Sequence, residues 1–361
     1  MKLLFLCKRH PMGRDLVSSP YGRFFHLPRH LAAQGHQVQL LLLDYRHGAP
    51  VAHQAHGFDW LSVPFSPRHP LRYLHEIERT IRGGRPDCIV GLSDTYYGML
   101  AVHFSRRHGC CSAIDAYDNY ESYLPWCKPL HWRWRRALRR ADLLTAAGPG
   151  LAALMSSGRP GRAAVVVPMA PDPIGFVPLD RAACRQRMGL PLQRKLVGYC
   201  GSMHRSRGVE VLFDAFACLQ AGCPDAMLVH SGRTWRNVPL PDEVHSLGYI
   251  EDALMPVLLN CMDVLVVTNR RSAFGDYSYP VKLYEAMSCR VPVVATRTPA
   301  TAWILGDASP HLVPPADPQA LCAALEWALQ QDAVDYGVLP DWDSSGRRLE
   351  QALLETLSRG A

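Results

Sequence analysis

The chain has 361 residues, 48% of them hydrophobic and 20% charged, with 39 Lys and Arg against 32 Asp and Glu for a net charge of +7. That length exceeds one ordinary core and predicts two domains, and the composition is that of a globular chain rather than a disordered one. No apolar run reaches the roughly 18–20 residues of a membrane-spanning helix, which excludes an integral helical membrane protein.

The opening MKLLFLCKRH has an apolar core of only four residues, Leu3–Leu6, and no small-residue cleavage site. It reads as a buried first strand and not as a signal peptide. After the strand Leu3–Cys7, a helix is expected over Phe24–Gln34, closed by Gly35, then a strand over Gln37–Leu43. Leu71–Arg82 is amphipathic and helical, with Gly83-Gly84 as its stop signal. Cys88–Leu92 reads as a strand, Tyr97–His108 as a helix, and Ser112–Asp115 and Ala141–Ala146 as further strands. This alternation predicts a parallel, doubly wound sheet.

Pro168, Pro171, Pro173 and Pro178 form a cluster that suits neither helix nor central strand, so it reads as the connection between domains. The alternation then restarts: strand Leu196–Tyr199, helix Val209–Gln220, strands Ala226–His230 and Asp263–Val267, helix Val281–Ser288 and strand Val291–Ala295. Helices follow over Pro318–Gln330 and Gly346–Ser358, the second with Asp343 and Ser344 as cap candidates. The expected architecture is α/β, two Rossmann-like parallel-sheet domains over residues 1–170 and 171–340, with 341–361 as a final helix.

Charge divides between the halves. Residues 1–180 hold 22 basic against 13 acidic side chains, a net of +9, and residues 181–361 hold 17 against 19, a net of −2. The basic half suits an acidic acceptor, an anionic membrane surface or nucleic acid; no nucleic-acid reading module is evident. The twelve cysteines are dispersed and form no C-x-x-C, the pattern of reduced thiols in a cytoplasm. His53 and His56 lack the glutamate of a zincin motif, so no metal site is expected.

In parallel α/β sheets, ligands bind outside the carboxyl ends of the strands. That rule selects GYCGSMHRSRG (198–208), where Gly201 permits close backbone approach and Arg205 and Arg207 supply charge before a helix start. It reads as a diphosphate cradle or as a basic surface loop; it is neither a P-loop nor a G-x-G-x-x-G. In the first half the rule selects HPMGRDLVSSPYG (10–22) and AIDAYDNYESY (113–123). There Asp115, Asp118 and Glu121 stand among Tyr117, Tyr120 and Tyr123, a setting either for sugar hydroxyls and rings or for helix capping. WCKPLHWRWRRALRRADLL (126–144), if helical, aligns Leu130, Trp134, Ala137, Leu138 and Ala141 against an arginine-rich face. That face is either an interfacial surface for anionic lipid or a solvated one. Lys282 and Glu285 share the first turns of their helix, as an anion and hydroxyl clamp or as a surface ion pair.

Over nearly its full length the chain resembles the GT-B glycosyltransferases of family 4, which are retaining enzymes with nucleotide-sugar donors. HLPRHLAAQGHQVQLL (26–41), RPDCIVG (85–91), RRADLLTA (139–146), GYCGSMHRSRG, SLGYIEDALMPVLLNCMDVLVV (246–267) and KLYEAMSCRVPVVAT (282–296) carry the likeness. The resemblance implies two domains facing across a cleft, with Trp342 before a helix that crosses back to the first. It implies that Glu285 binds the donor ribose and that Arg207, with Lys282, balances the diphosphate. Gly201, Ser202, Arg205, Gly232, Tyr249, Ile250 and Leu283 complete the donor side, and His10, Ser18, Ser19, Tyr117 and Asp118 the acceptor side. Asp118, Arg207 and Glu285 are the catalytic candidates, with no cofactor and no metal.

Three departures stand out. Tyr277, beside Asp276, occupies the position where the family usually has a further glutamate. Ser202 replaces a usual arginine, and Ser18-Ser19 a usual Gly-Gly. The expected function is transfer of a hexose to a lipid-linked or cell-surface polysaccharide precursor, in the cytoplasm or peripherally at the membrane. A soluble small-molecule or phage-type acceptor, a GT-B sugar-nucleotide epimerase and a non-catalytic sugar-nucleotide binder are the rivals.

Overall fold

The computed structural model describes every residue of the chain except 174, 236, 237, 239 and 361. It divides into two compact units, Met1–Met169 with Pro340–Ala361, and Ala170–Leu339.

Unit 1 begins with β1 (Lys2–Lys8), whose apolar run is buried because it lies mid-sheet, parallel to a strand on each side. There follow α1 (Gly22–Ala33), β2 (Gln37–Asp44), β3 (Val51–Ala55), β4 (Phe58–Pro64), α2 (Arg72–Gly84), β5 (Cys88–Gly91) and α3 (Thr95–His108). The unit continues through β6 (Cys111–Ala116), α4 (Lys128–Arg140), β7 (Leu143–Ala146), α5 (Pro149–Ser156) and β8 (Val165–Val166). The eight strands stand in the order β3-β4-β2-β1-β5-β6-β7-β8, parallel except for the β3–β4 hairpin at one edge. That hairpin was not anticipated. It turns on His56 and Gly57, both at positive φ (56° and 85°), the conformation a two-residue hairpin turn requires.

The helix α2 buries Tyr73, Ile77 and Ile81, one residue per turn. Its end differs from expectation: Gly83 and Gly84 lie within the helix, and Arg85 takes the left-handed position (φ 46°), its N–H donating to the Ile81 carbonyl at 2.8 Å. The helix α4 buries Trp134, Ala137 and Leu138 as expected, but His131 replaces Leu130, with its Nε2 2.9 Å from the Leu124 carbonyl.

Unit 2 comprises α6 (Arg181–Met188), β9 (Lys195–Cys200), α7 (Val209–Gly222), β10 (Ala226–Ser231), β11 (Val244–Ser246), α8 (Met255–Asn260) and β12 (Val264–Val267). It ends with α9 (Val281–Ser288), β13 (Val293–Thr296), α10 (Pro299–Leu305), β14 (Leu312–Val313) and α11 (Pro318–Ala328). Its six strands run parallel in the order β11-β10-β9-β12-β13-β14. Successive residues of β9 enter opposite cores: Leu196 packs with α8 and α9, Val197 with α7 and α11. A strand covered on both faces reads as a continuous apolar run, as these do.

The final helix, α12 (Trp342–Gly360), belongs to unit 1. It starts four residues earlier than expected, so Asp343 and Ser344 lie inside it. Asp341 supplies the cap: its carboxylate accepts the Ser344 N–H at 2.5 Å, while its own N–H donates to Ser344 Oγ at 3.3 Å. The helix packs on α1, where Trp342 stacks on His26 (centroids 5.1 Å) and Gly346 leaves room for the His30 ring.

Candidate functional site

In unit 2 the strand ends converge on two glycines. Gly201, following β9, donates its N–H to the Ser231 carbonyl at 2.8 Å, and Gly232, following β10, donates to the Gly248 carbonyl at 2.8 Å. Gly232 has φ 133°, and a Cβ there would collide with the Gly201 backbone. The two loops can therefore approach this closely only if Gly232 lacks a side chain. Buried His230 props them from below, with Nε2 3.0 Å from the Gly201 carbonyl and Nδ1 3.3 Å from Ser246 Oγ. Burial pushes its pKa below the ordinary value, partly countered by the Gly201 contact.

The arginines of the same loop divide. Arg205 is exposed and pairs with Glu210 at 3.5 Å, and Ser202 is exposed. Arg207 is held: its Nη1 donates to Asn269 Oδ1 at 3.0 Å and to Ser278 Oγ at 3.4 Å, and its guanidinium lies 4.7 Å from the Phe274 ring centroid. It sits in a 3-10 turn, Arg205–Arg207, and α7 starts only after Gly208 at φ 70°. Asn269 is itself fixed, donating its N–H to Thr296 Oγ1 at 2.7 Å. Its Nδ2 is buried without a partner among the described residues, which leaves a free donor beyond the end of β12. Asn269 and Ser278 carry no sequence signal, since they act on Arg207 from 62 and 71 residues away.

The first turn of α9 holds the other half of the site. Lys282 Nζ donates to Glu285 Oε2 at 2.6 Å, with the glutamate side chain 9% exposed and the lysine 34%. Burial lowers the lysine pKa, but the adjacent carboxylate more than offsets this, and the net direction is upward. Cys200, at the end of β9, lies in the field of both; burial pushes its thiol up to about 12. A surface ion pair does not describe this geometry, because Glu285 belongs to the buried face of the helix.

Other expected donor residues are placed less favourably. Leu283 is fully buried in the core and its N–H is engaged by the Pro280 carbonyl at 3.1 Å. Ile250 is half-buried against that core, and Tyr249 is 69% exposed. Asp276 is paired with Arg271 at 2.6 Å, and Tyr277 is half-buried beside it.

In unit 1 the three carboxylates at and after the end of β6 separate by role. Asp115 is buried against Arg23, with Nε to Oδ2 at 2.7 Å and Nη2 to Oδ1 at 2.6 Å, and also accepts Thr145 Oγ1 at 2.6 Å. Glu121 is engaged by Arg135 at 2.8 and 2.6 Å. Both carboxylates are engaged by arginines, a role that neither expectation, sugar contact or helix capping, had given them. Asp118 remains, accepting the Tyr123 hydroxyl at 2.7 Å, while Tyr117 is buried edge-on to Phe24 at 5.3 Å. At the end of β1, His10 Nε2 lies 3.2 Å from Asp44 Oδ1, and its Nδ1 is buried with no partner among the described residues. Ser18 and Ser19 are exposed in the following turn. Among the described residues no group of three His, Cys, Asp or Glu side chains is placed to hold a metal ion.

Comparison with known proteins gives the family of the chain. Residues 23–171 match the model of the glycosyl transferase 4-like domain, and residues 194–331 that of the glycosyl transferases group 1. The chain belongs to the group 1 glycosyltransferases. Within curated proteins, this chain is 31% identical over 157 residues to the phosphatidyl-myo-inositol mannosyltransferase of Mycobacterium leprae, 41% of each chain. It is 28% identical over 294 residues to the GDP-mannose-dependent alpha-mannosyltransferase of Mycolicibacterium smegmatis, covering 74% of this chain and 72% of the other. The matches to the first two curated relatives thus span well under half of their length, 41% and 34%. Among solved structures, Anabaena HepE in complex with UDP superposes with a TM-score of 0.70 at 15% identity, over 99% of this chain and 98% of that one. The sucrose-phosphate synthase of Thermosynechococcus elongatus does so with 0.71 at 16%, over 99% and 95%. The fold of the chain is GT-B.

Proposed function

We propose that this chain is a retaining glycosyltransferase that moves a hexose from a nucleotide-diphosphate sugar to an acceptor hydroxyl, without metal or other cofactor. The observation that carries the reading is the Lys282–Glu285 pair at 2.6 Å, a carboxylate buried at the start of α9 where a hydroxyl-gripping group is needed. Arg207, locked by Asn269 and Ser278, supplies a fixed positive charge for the diphosphate. The Gly201 and Gly232 loops present backbone to which a phosphate can come close. In the reaction the bond from the sugar's anomeric carbon to the diphosphate breaks, one to the acceptor oxygen forms on the same face, and the acceptor hydroxyl's proton passes to the leaving diphosphate. The developing charge on the leaving diphosphate falls to Arg207, an electrostatic task that convergent donors perform without a metal. Asp118 is assigned to contact with the sugar or the acceptor. The relatives named for mannosyl transfer and the neighbours bound to UDP and UDP-glucose support a nucleotide-sugar donor.

On the acceptor side the reading is a lipid-linked, anionic precursor of a cell-surface polysaccharide, met by a cytoplasmic protein lying peripherally on the membrane. It draws on α4, whose outward Arg133, Arg136, Arg139 and Arg140 stand beside Trp132, 57% exposed. Among the described residues no helix is long and apolar enough to cross a membrane. One observation favours a second reading, a binding protein without turnover: Asp276 is tied to Arg271, and Tyr277 stands where a further carboxylate is usual. The test is a melting-temperature screen with UDP, GDP, dTDP and CMP, each alone and as sugar conjugates. A rise with one nucleotide, lost in Arg207→Ala and Glu285→Ala, upholds the donor site; no rise with any of them sinks it. Release of free nucleotide in the presence of an acceptor then separates transferase from binder.

A further inference from the structure

Unit 1 holds a cavity of about 450 Å³ that the donor and acceptor assignments leave unused. Its lining runs from the ends of β2 and β4, the sheet edge that also carries Asp118 and His10, to residues of α2 and α3. Leu43, Phe65, Tyr73, Tyr97, Met99 and Leu100 make its walls. The buried phenols are already satisfied: Tyr73 donates to the Leu41 carbonyl at 2.9 Å and Tyr97 to Tyr45 Oη at 3.3 Å. The interior therefore offers hydrocarbon and ring faces with few open polar groups. Its size falls in the roughly 300–1,000 Å³ range of small-ligand sites.

The charge at the cavity is of one sign. Arg72 and Arg133 line it, both exposed and without an acidic partner among the described residues, and no Asp or Glu lines it. Asp94, whose charge reaches Tyr45 and Tyr97, is answered by Lys8 at 3.5 Å. Arg133 also makes the cavity continuous with the basic, tryptophan-bearing face of α4, and Leu71, at the start of α2, is 54% exposed nearby in the chain. A largely apolar slot with two arginines in its lining and no acidic group matches an amphiphile whose polar end is an anion.

We propose that this cavity binds the hydrocarbon chain of an anionic lipid, with the lipid phosphate held at Arg72 and Arg133. The inference deepens the lipid-linked acceptor reading and rests on it for its biological purpose. The test is calorimetric titration of the full chain with dodecyl phosphate below its micelle-forming concentration. Saturable one-to-one binding is expected, weakened tenfold or more by Leu100→Trp, which fills the cavity, and by the surface double variant Arg72→Ala/Arg133→Ala. Dodecanol is expected to bind at least tenfold more weakly, and inorganic phosphate not measurably. Absence of saturable binding, equal affinity in both variants, or equal affinity for dodecanol would each overturn the proposal. The nucleotide melting shift keeps the two readings apart. Dodecyl phosphate binding without any nucleotide shift upholds the cavity and overturns the donor site, and the reverse pattern overturns the cavity alone.

Discussion

Arg23 and Asp115 form a two-pronged pair at 2.6 and 2.7 Å in which neither side chain is more than 1% exposed. A buried pair of this kind is strongly destabilised by removing one partner, since the other charge is left uncompensated, at about 3–5 kcal/mol. Asp115→Ala is therefore expected to lower the unfolding free energy by that order in a urea titration. Replacement of both residues by apolar ones should cost much less. Retained stability in Asp115→Ala would return that carboxylate to the list of candidate sugar ligands.

Glu285→Gln keeps shape and removes charge. A charged hydrogen bond to a ligand contributes about 1.5–3 kcal/mol, so nucleotide-sugar affinity should fall about 10–100-fold by titration calorimetry. The same substitution has a signature at high pH. The folded-state pKa of Lys282 is raised, so its contribution to stability is complete below its ordinary value of 10.5 and is lost as pH rises through the folded value. Wild type should lose stability above about pH 10.5 faster than Glu285→Gln; parallel alkaline profiles would count against the pair.

His230 gives the opposite slope. Its pKa is depressed from 6.5, chiefly by burial, so the folded state holds it neutral while the unfolded chain takes up a proton. Stability is then complete above pH 6.5 and falls as pH drops below it. His230→Gln should flatten this acid limb in melting curves recorded from pH 7 downward. Because the ring props the Gly201 loop, it should also weaken nucleotide binding at neutral pH.

Gly232→Ala puts a methyl group against the Gly201 backbone at a φ of 133°. Backbone strain of this kind costs about 1–3 kcal/mol, and relief requires the two loops to part. Loss of the nucleotide-induced melting shift is expected in a protein that still folds. A normal shift would mean that the loops can separate without consequence for the donor.

Strand and helix order was readable because period and punctuation agree along most of the chain, as at Gln37–Asp44 and Val281–Ser288. The β3–β4 hairpin escaped because His56-Gly57 is a weaker turn signal than Asn-Gly, and because β3 is largely exposed. Arg85 ended α2 in a conformation that the neighbouring Gly-Gly had been expected to supply. For the candidate site, the contact between Lys282 and Glu285 was legible because both lie within one helical turn. The fate of Asp115 and Glu121 was not, since it depends on Arg23, 92 residues away, and Arg135, 14 residues away. The asymmetry between Arg205 and Arg207 likewise rests on Asn269 and Ser278, which only the fold brings near.

Unit 1 is discontinuous in sequence: α12 returns to α1 after about 170 intervening residues that form unit 2. On a ribosome adding about 5–20 residues per second, the 170 residues and α12 take roughly 10–40 s to emerge. During that interval the α1 surface of His26 and His30 waits uncovered, although unit 2 can complete itself as an unbroken stretch. The unit begun first in translation is thus the one finished last, and its exposed α1 face is where a nascent chain of this protein would need shielding.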